Sequence, residues 1–247
     1  MSAAAKVDLL VIAAHPDDAE IGAGGILLLL RKQGFRTGVL DLTHGELSSR
    51  GDLATRARET ATATQLLDLS WRGQLDCGDG RVRDTDAARA QLVGVVRELR
   101  PQVVLAPWKD DWHPDHAGAG QLALRSWYLC GVGKYAPGAP PFRPARLGYY
   151  MCHDIFEPSI VVDVGAVWEQ KMLAVRAFAS QFFQPGVAGP PTKISSPHFL
   201  AAIEGRAREF GTHAGAEFGE PLRWERAPLV RSGAELLGGD VKSEVVR

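Results

Sequence analysis

Two short apolar runs, each leading to a His-Pro-Asp turn, constrain this chain more than any other feature. Val7–Ala14 runs directly into His15-Pro16-Asp17-Asp18-Ala19-Glu20, and Val103–Ala106 stands shortly before His113-Pro114-Asp115-His116. Brief β-branched apolar runs bounded by turn residues read as buried strands. Each motif is therefore expected on a loop at the carboxyl end of a strand, where open parallel sheets bind their ligands.

The rest of the first half fits that frame. An apolar helix is expected over about 19–33, closed by Gly34 in the left-handed position that favours glycine. A strand follows near 36–42, a polar loop over 43–51, and helices near 54–67, 86–99 and 117–130, with Asp84 or Thr85 as N-cap of the second and Pro101 beyond its end. Strands alternating with helices of this length predict right-handed βαβ units. The expected fold class is α/β: Rossmann-like, with a mostly parallel sheet and helices on both faces. In the usual doubly wound order the strands before the two motifs become neighbours at the switch point. Further on, strands are expected at 147–151 and 159–164, helices at 167–178 and 198–210, and loops at 134–146 and 184–197. A loop as long as the last inside a compact domain is usually functional. No composition break marks a second domain, so residues 1–230 read as one domain and 231–247 as a disordered tail.

Composition excludes several classes. With 28 basic and 29 acidic side chains the net charge is -1, without the basic face of a nucleic-acid binder. The longest uncharged apolar stretch, Ile21–Leu30, is half of the roughly 20 residues needed to span a bilayer. Cys77, Cys130 and Cys152 are too scattered for a disulfide framework or a Cys-x-x-Cys motif. The start of the chain lacks the charged-then-apolar pattern of a signal peptide, so a cytoplasmic protein with reduced thiols is expected.

Imidazole nitrogens and carboxylate oxygens are the donors of catalytic zinc sites, which use three protein ligands and keep a position for water. His15 and Asp18, three apart across a proline turn, can face one ion, with His116 as third ligand. Asp17 would take a proton from water, and His113 would meet the oxyanion with Asp115 holding its ring. Gly22-Ala23-Gly24-Gly25 hints at a dinucleotide fingerprint, but Leu27 stands where its last glycine should be, and helix–strand packing explains it better. Asp79 reads either as a sugar contact or as an Asp-Gly turn, and Arg50 as substrate contact or solvated loop. His44, His153 and His213 read as lone surface or core histidines.

The strand followed by His-Pro-Asp-Asp-Ala-Glu-Ile-Gly-Ala-Gly-Gly, with His-Pro-Asp-His about a hundred residues on, resembles the zinc-dependent N-acetylglucosaminyl deacetylases of the PIG-L type. Asp41–Gly51, Arg56, Glu59, Lys134-Tyr135, Pro158–Val164, Glu169–Met172, Ser180–Phe182 and Gly219-Glu220-Pro221 extend the likeness toward the branch that makes bacillithiol. The resemblance implies deacetylation of N-acetylglucosaminyl malate, with zinc or another divalent metal on His15, Asp18 and His116. It implies Asp17 as base, His113 as electrophile or acid assisted by Asp115, Arg56 on the substrate, Glu46 near the sugar, and a trimer or hexamer. Either Asp17 or His113 would protonate the leaving amine. Malate needs cations, and Arg56 then Lys134 are the candidates. Trp112 stands where that branch often has arginine, and an indole cannot pair a carboxylate as arginine does. The rivals are a deacetylase of another GlcNAc conjugate, such as an inositol-linked one, and a nucleotide-binding module without hydrolytic activity.

Overall fold

The structure is a computed structural model that describes residues 6–136, 138–187 and 189–229. The tail expected from about residue 231 lies outside them. Among the described residues seven strands form one sheet: β1 (Leu9–Ala13), β2 (Thr37–Asp41), β3 (Trp71–Gln74), β4 (Val103–Pro107), β5 (Arg146–Tyr150), β6 (Ile160–Asp163) and β7 (Gly219–Trp224). Their spatial order is β3-β2-β1-β4-β5-β7-β6. The first five run parallel, and β7 is antiparallel to both β5 and β6. The helices are α1 (Asp18–Lys32), α2 (Leu53–Leu66), α3 (Asp86–Leu99), α4 (Pro114–Leu129), α5 (Trp168–Arg176) and α6 (Phe199–Ala214). Among the described residues no helix is long and apolar enough to cross a membrane.

Strand β1 shows why a parallel sheet forms here. Leu9, Val11 and Ala13 enter one apolar core, under α1 and α5, while Leu10, Ile12 and Ala14 enter the other, under α3 and α4. A strand buried on both faces must read as a continuous apolar run. The expected neighbours β1 and β4 do pair, so the two motif loops emerge side by side at the switch point.

Helix α1 carries the glycines that hinted at a nucleotide. They lie in the body of the helix, and their role is packing. A Cβ on Gly22 would overlap the Tyr150 ring, and one on Gly25 would come within 2.7 Å of Val164. A buried ion pair enters the same turn. Lys171 Nζ donates to the Ile21 carbonyl (2.9 Å), while Glu220 accepts from the Gly25 and Ile26 amides (2.9 and 2.8 Å). The two charges meet at 2.6 Å. Ile21 O and Gly25 N are the groups an undisturbed helix would join to each other. The Lys-Met and Gly-Glu-Pro runs that resembled a family signature are thus the brace behind the first motif.

Most expected elements are present, with Thr85 rather than Asp84 capping α3 and Gly34 left-handed just past α1 (φ 85°). Two strands escaped the sequence. β3 holds Arg72, buried against Glu20 (2.6 Å) and Asp41 (2.7 Å), so its inward charge hid it. β7 holds Glu220 and Pro221, and proline argues against an interior strand. Pro221 is accommodated because β5 pairs only from Leu222 onward. The expected helix 167–178 resolves into a 3-10 turn at Gly165–Val167 and α5.

Candidate metal centre

The first motif turns from β1 into α1 at Asp17, whose φ of 127° no L-residue adopts without strain. An aspartate in this position normally caps the helix, but the Asp17 carboxylate makes no cap. It turns instead to Arg56 Nη1 (2.8 Å), which also donates to the Pro16 carbonyl (2.7 Å). Backbone strain at a residue so held is the mark of a site the surrounding structure over-determines. The second motif is a helix start. His113 is the N-cap, Pro114 occupies the first turn where a missing N–H costs nothing, and Asp115 and His116 follow within that turn.

One donor atom each from His15, Asp18 and His116 lies within 4.8 Å of the other two. His116 Nε2 stands 3.1 Å from Asp18 Oδ1, and His15 Nδ1 stands 3.5 Å from Asp18 Oδ2. The outer nitrogen of each imidazole rests on another carboxylate: His15 Nε2 on Asp115 (3.1 Å) and Asp79 (3.2 Å), His116 Nδ1 on Asp111 (3.1 Å). Imidazoles backed by carboxylates are what metal sites use to fix ring orientation and raise basicity. The donor set fits a divalent cation of the zinc kind. Its electrostatics fit as well. Burial opposes charge on His15 and His116, yet their carboxylate neighbours hold both pKa values well above 6.5. Burial likewise works against ionised Asp18, but His116 and His15 together outweigh it and hold its pKa well below the usual carboxylate range. Burial pushes Asp17 up to about 6 despite Arg56.

His113 and His153 complete the wall. Burial, then the His116 and His15 charges, lower the His113 pKa. Its Nδ1 accepts the Asp115 amide (3.2 Å), which leaves the hydrogen of the neutral ring on Nε2. His153 stacks on His116 (5.1 Å, 17°), and burial with the His116 charge lowers it to about 4.

The cleft above the triad measures about 250 Å³ and is lined by His15, Asp17, Asp18, Arg56, Asp79, His113 and His116 among others, a volume on the small-molecule scale. Seven expected site residues therefore converge there. Three expectations need correction. The Asp115 carboxylate holds His15, with Gly80 N and Val82 N as further donors, and not the His113 ring. Glu46 ties down its own loop by accepting from His44 N and Asp79 N and does not line the cleft. Lys134 follows α4 on the way into β5, at the amino ends of the strands and away from the motif loops, because α4 runs back from the motif end of the strands. Arg56 is in the cleft, but its charge is already engaged by Asp17.

The sequence reading missed Asp111, which organises half the site. Its Oδ1 accepts from His113 N and faces His116, and its Oδ2 accepts from His153 N and Asp154 N (3.0 and 3.1 Å). Its place just ahead of His-Pro-Asp-His was the available signal. His153 also belongs to the site and is not a stray surface histidine. Gln181 reaches the cleft as well, and so do Thr192, Lys193 and Ile194 from the long loop 184–197. Arg50 is spent on the Ser180 and Pro190 carbonyls.

Comparison with known proteins agrees with this geometry. Residues 10–127 match the family described as PIG-L: GlcNAc-PI de-N-acetylase. The diacetylchitobiose deacetylase of Thermococcus kodakarensis is 32% identical over 191 residues, covering 70% of each chain. A crystal structure of a conserved protein from Thermus thermophilus superposes with a TM-score of 0.83 at 37% identity, covering 92% of this chain and 98% of that one. The 4-oxalmesaconate hydratase of Pseudomonas putida is also similar, 29% identical over 193 residues, with 70% of this chain and 73% of that protein covered. A sheet with motif loops at its switch point and a largely buried His-Asp-His triad that could hold a metal ion defines an α/β protein with a candidate metal site. The chain belongs to the PIG-L deacetylase family.

Proposed function

We propose that this protein hydrolyses the acetamide of an N-acetylglucosaminyl conjugate, releasing acetate and a free amine, with N-acetylglucosaminyl malate as the substrate first in line. One observation carries the reading. A three-donor metal triad, a strained buried carboxylate and a neutral imidazole donor face one small cleft, and these are the parts that metal-assisted amide hydrolysis requires. His15, Asp18 and His116 would hold the ion, which when bound supplies Lewis acidity and an activated water. Asp17 is the base that accepts the proton of the attacking water, oriented by Arg56. His113 Nε2–H meets the oxygen on which charge develops, a contact typically worth about 3–4 kcal/mol when fixed in advance. Asp115 and Asp111 keep the two imidazole ligands aimed. The three cysteines are free thiols, which suits a reducing cytoplasm.

A second reading rests on the hydratase relative: water addition to an unsaturated tricarboxylate would use the same base and ion. Incubating the metal-loaded protein with a panel decides between them. The panel holds N-acetylglucosaminyl malate, an inositol conjugate, diacetylchitobiose and an unsaturated hydroxy-tricarboxylate, and products are read by mass spectrometry. The proposal expects loss of 42 mass units from the GlcNAc conjugates, the mass of an acetyl group exchanged for hydrogen. Gain of a water mass on the tricarboxylate alone would contradict it.

A further inference from the structure

We infer that Lys193, held against Trp112 at the cleft mouth, selects substrates whose aglycone carries a carboxylate; this rests on the deacetylase reading above. Trp112 is 69% exposed although it lines the cleft, an unusual setting for so large an apolar surface. It is anchored by its place between Asp111 and His113, and its ring meets His153 edge-on (6.0 Å, 84°). Lys193 comes from the opposite wall, on the loop between α5 and α6, and sets Nζ 5.2 Å from the Trp112 ring centroid. A cation over an indole face is attracted by its quadrupole, so the ring holds the lysine without neutralising it.

The other cations of this region are engaged. Arg56 pairs through Nη1 with Asp17 and the Pro16 carbonyl while its Nε stays buried without a partner, and Arg50 donates to the Ser180 and Pro190 carbonyls. Among the described residues lining the cleft, Lys193 is the basic side chain without a carboxylate partner. The acidic groups, Asp17, Asp18 and Asp79, all crowd the triad end. The cleft is thus polarised, with carboxylates at the reacting end and one cation at the mouth. A conjugate whose acetamide reaches the triad places its anomeric substituent toward that mouth. An anionic substituent gains an ammonium partner there, while a neutral one gains only the indole surface.

Two acetamido sugars test this, the malyl and methyl glycosides of GlcNAc, compared by kcat/KM with the metal-loaded enzyme. Wild type should favour the malyl glycoside by about tenfold, the scale of one charge-assisted contact partly screened by water. Lys193→Gln should reduce that ratio about fivefold, through KM rather than kcat, and Lys193→Glu should invert it. Raised salt should shrink the wild-type ratio and leave the Gln variant's ratio flat. Because Lys193 is exposed, neither variant threatens the fold. Equal effects on both glycosides, or none, would overturn the inference. Binding of L-malate itself, measured by calorimetry, separates the two proposals. If neither glycoside is cleaved but malate binding still weakens in Lys193→Gln, the deacetylase reading fails and the anion site stands. If malate binding does not change, the anion site fails too.

Discussion

Replacing Glu220 with glutamine tests how the fold supports the first motif. Gln keeps the shape and one acceptor for the α1 amides but removes the charge that faces Lys171 at 2.6 Å. Both side chains are 2% exposed, so an uncompensated ammonium would be left where water cannot reach it. Breaking one partner of such a pair costs about 3–5 kcal/mol. For a chain this long each kcal/mol shifts Tm by about 2–4 °C, so a drop of about 6–20 °C is expected by differential scanning calorimetry. The pH dependence carries a further signature. Burial lowers the Lys171 pKa even with Glu220 beside it. The unfolded chain thus holds more protons than the folded one between the lowered value and the unfolded lysine value of about 10.4. Stability contributed by this group therefore rises with pH across that window. Without Glu220 the window opens at lower pH, so the deficit of Glu220→Gln relative to wild type should narrow as pH rises toward 10. In Lys171→Met/Glu220→Leu no charge is buried, so most of the loss should be recovered. A Tm for Glu220→Gln within about 2 °C of wild type, or a double variant worse than either single one, would refute the reasoning.

Other substitutions address the site itself. His116→Ala should lose the metal, whereas Asp17→Asn should keep about one ion per chain and lose roughly 10²–10⁴-fold in kcat, read by metal analysis beside acetate release. Asp111→Asn should weaken metal binding by about 10–100-fold, measured by competition with a chromophoric chelator, because it frees His116 Nδ1 and loosens the His153 corner together. Arg72→Met leaves Glu20 and Asp41 buried without their shared cation and should cost about 3–5 kcal/mol in urea unfolding. Gly22→Ala should destabilise α1 against Tyr150, although alanine is the better helix former, because a Cβ there has no room.

The parts that sequence revealed are those with local signatures. β1 and β4 could be read because burial on both faces makes a strand continuously apolar, and the triad could be read because its turns supply the donors within a few residues. What sequence concealed is relational. Glu220 and Pro221 look like a loop, and only their reach across to α1, 195 residues away in the Gly25 contact, makes them part of a strand. Asp111 carries no mark of its four partners. Arg56 does line the cleft, but its pairing with Asp17 depends on a strained φ that no pattern encodes. Asp115 was assigned to its sequence neighbour His113, and space gave it to His15. Lys134 illustrates the same limit, since chain direction alone puts it at the opposite end of the strands from the motifs.

The central claim is that His15, Asp18 and His116 hold one divalent ion on which acetamide hydrolysis depends. The direct test strips the protein with chelator, titrates zinc back, and follows bound metal and acetate release on the same samples. Activity should rise in proportion to occupancy and level off at about one ion per chain, while His15→Ala/His116→Ala stays empty and inactive. Acetate release that persists in the stripped protein, or a double variant that still binds its ion, would contradict the account.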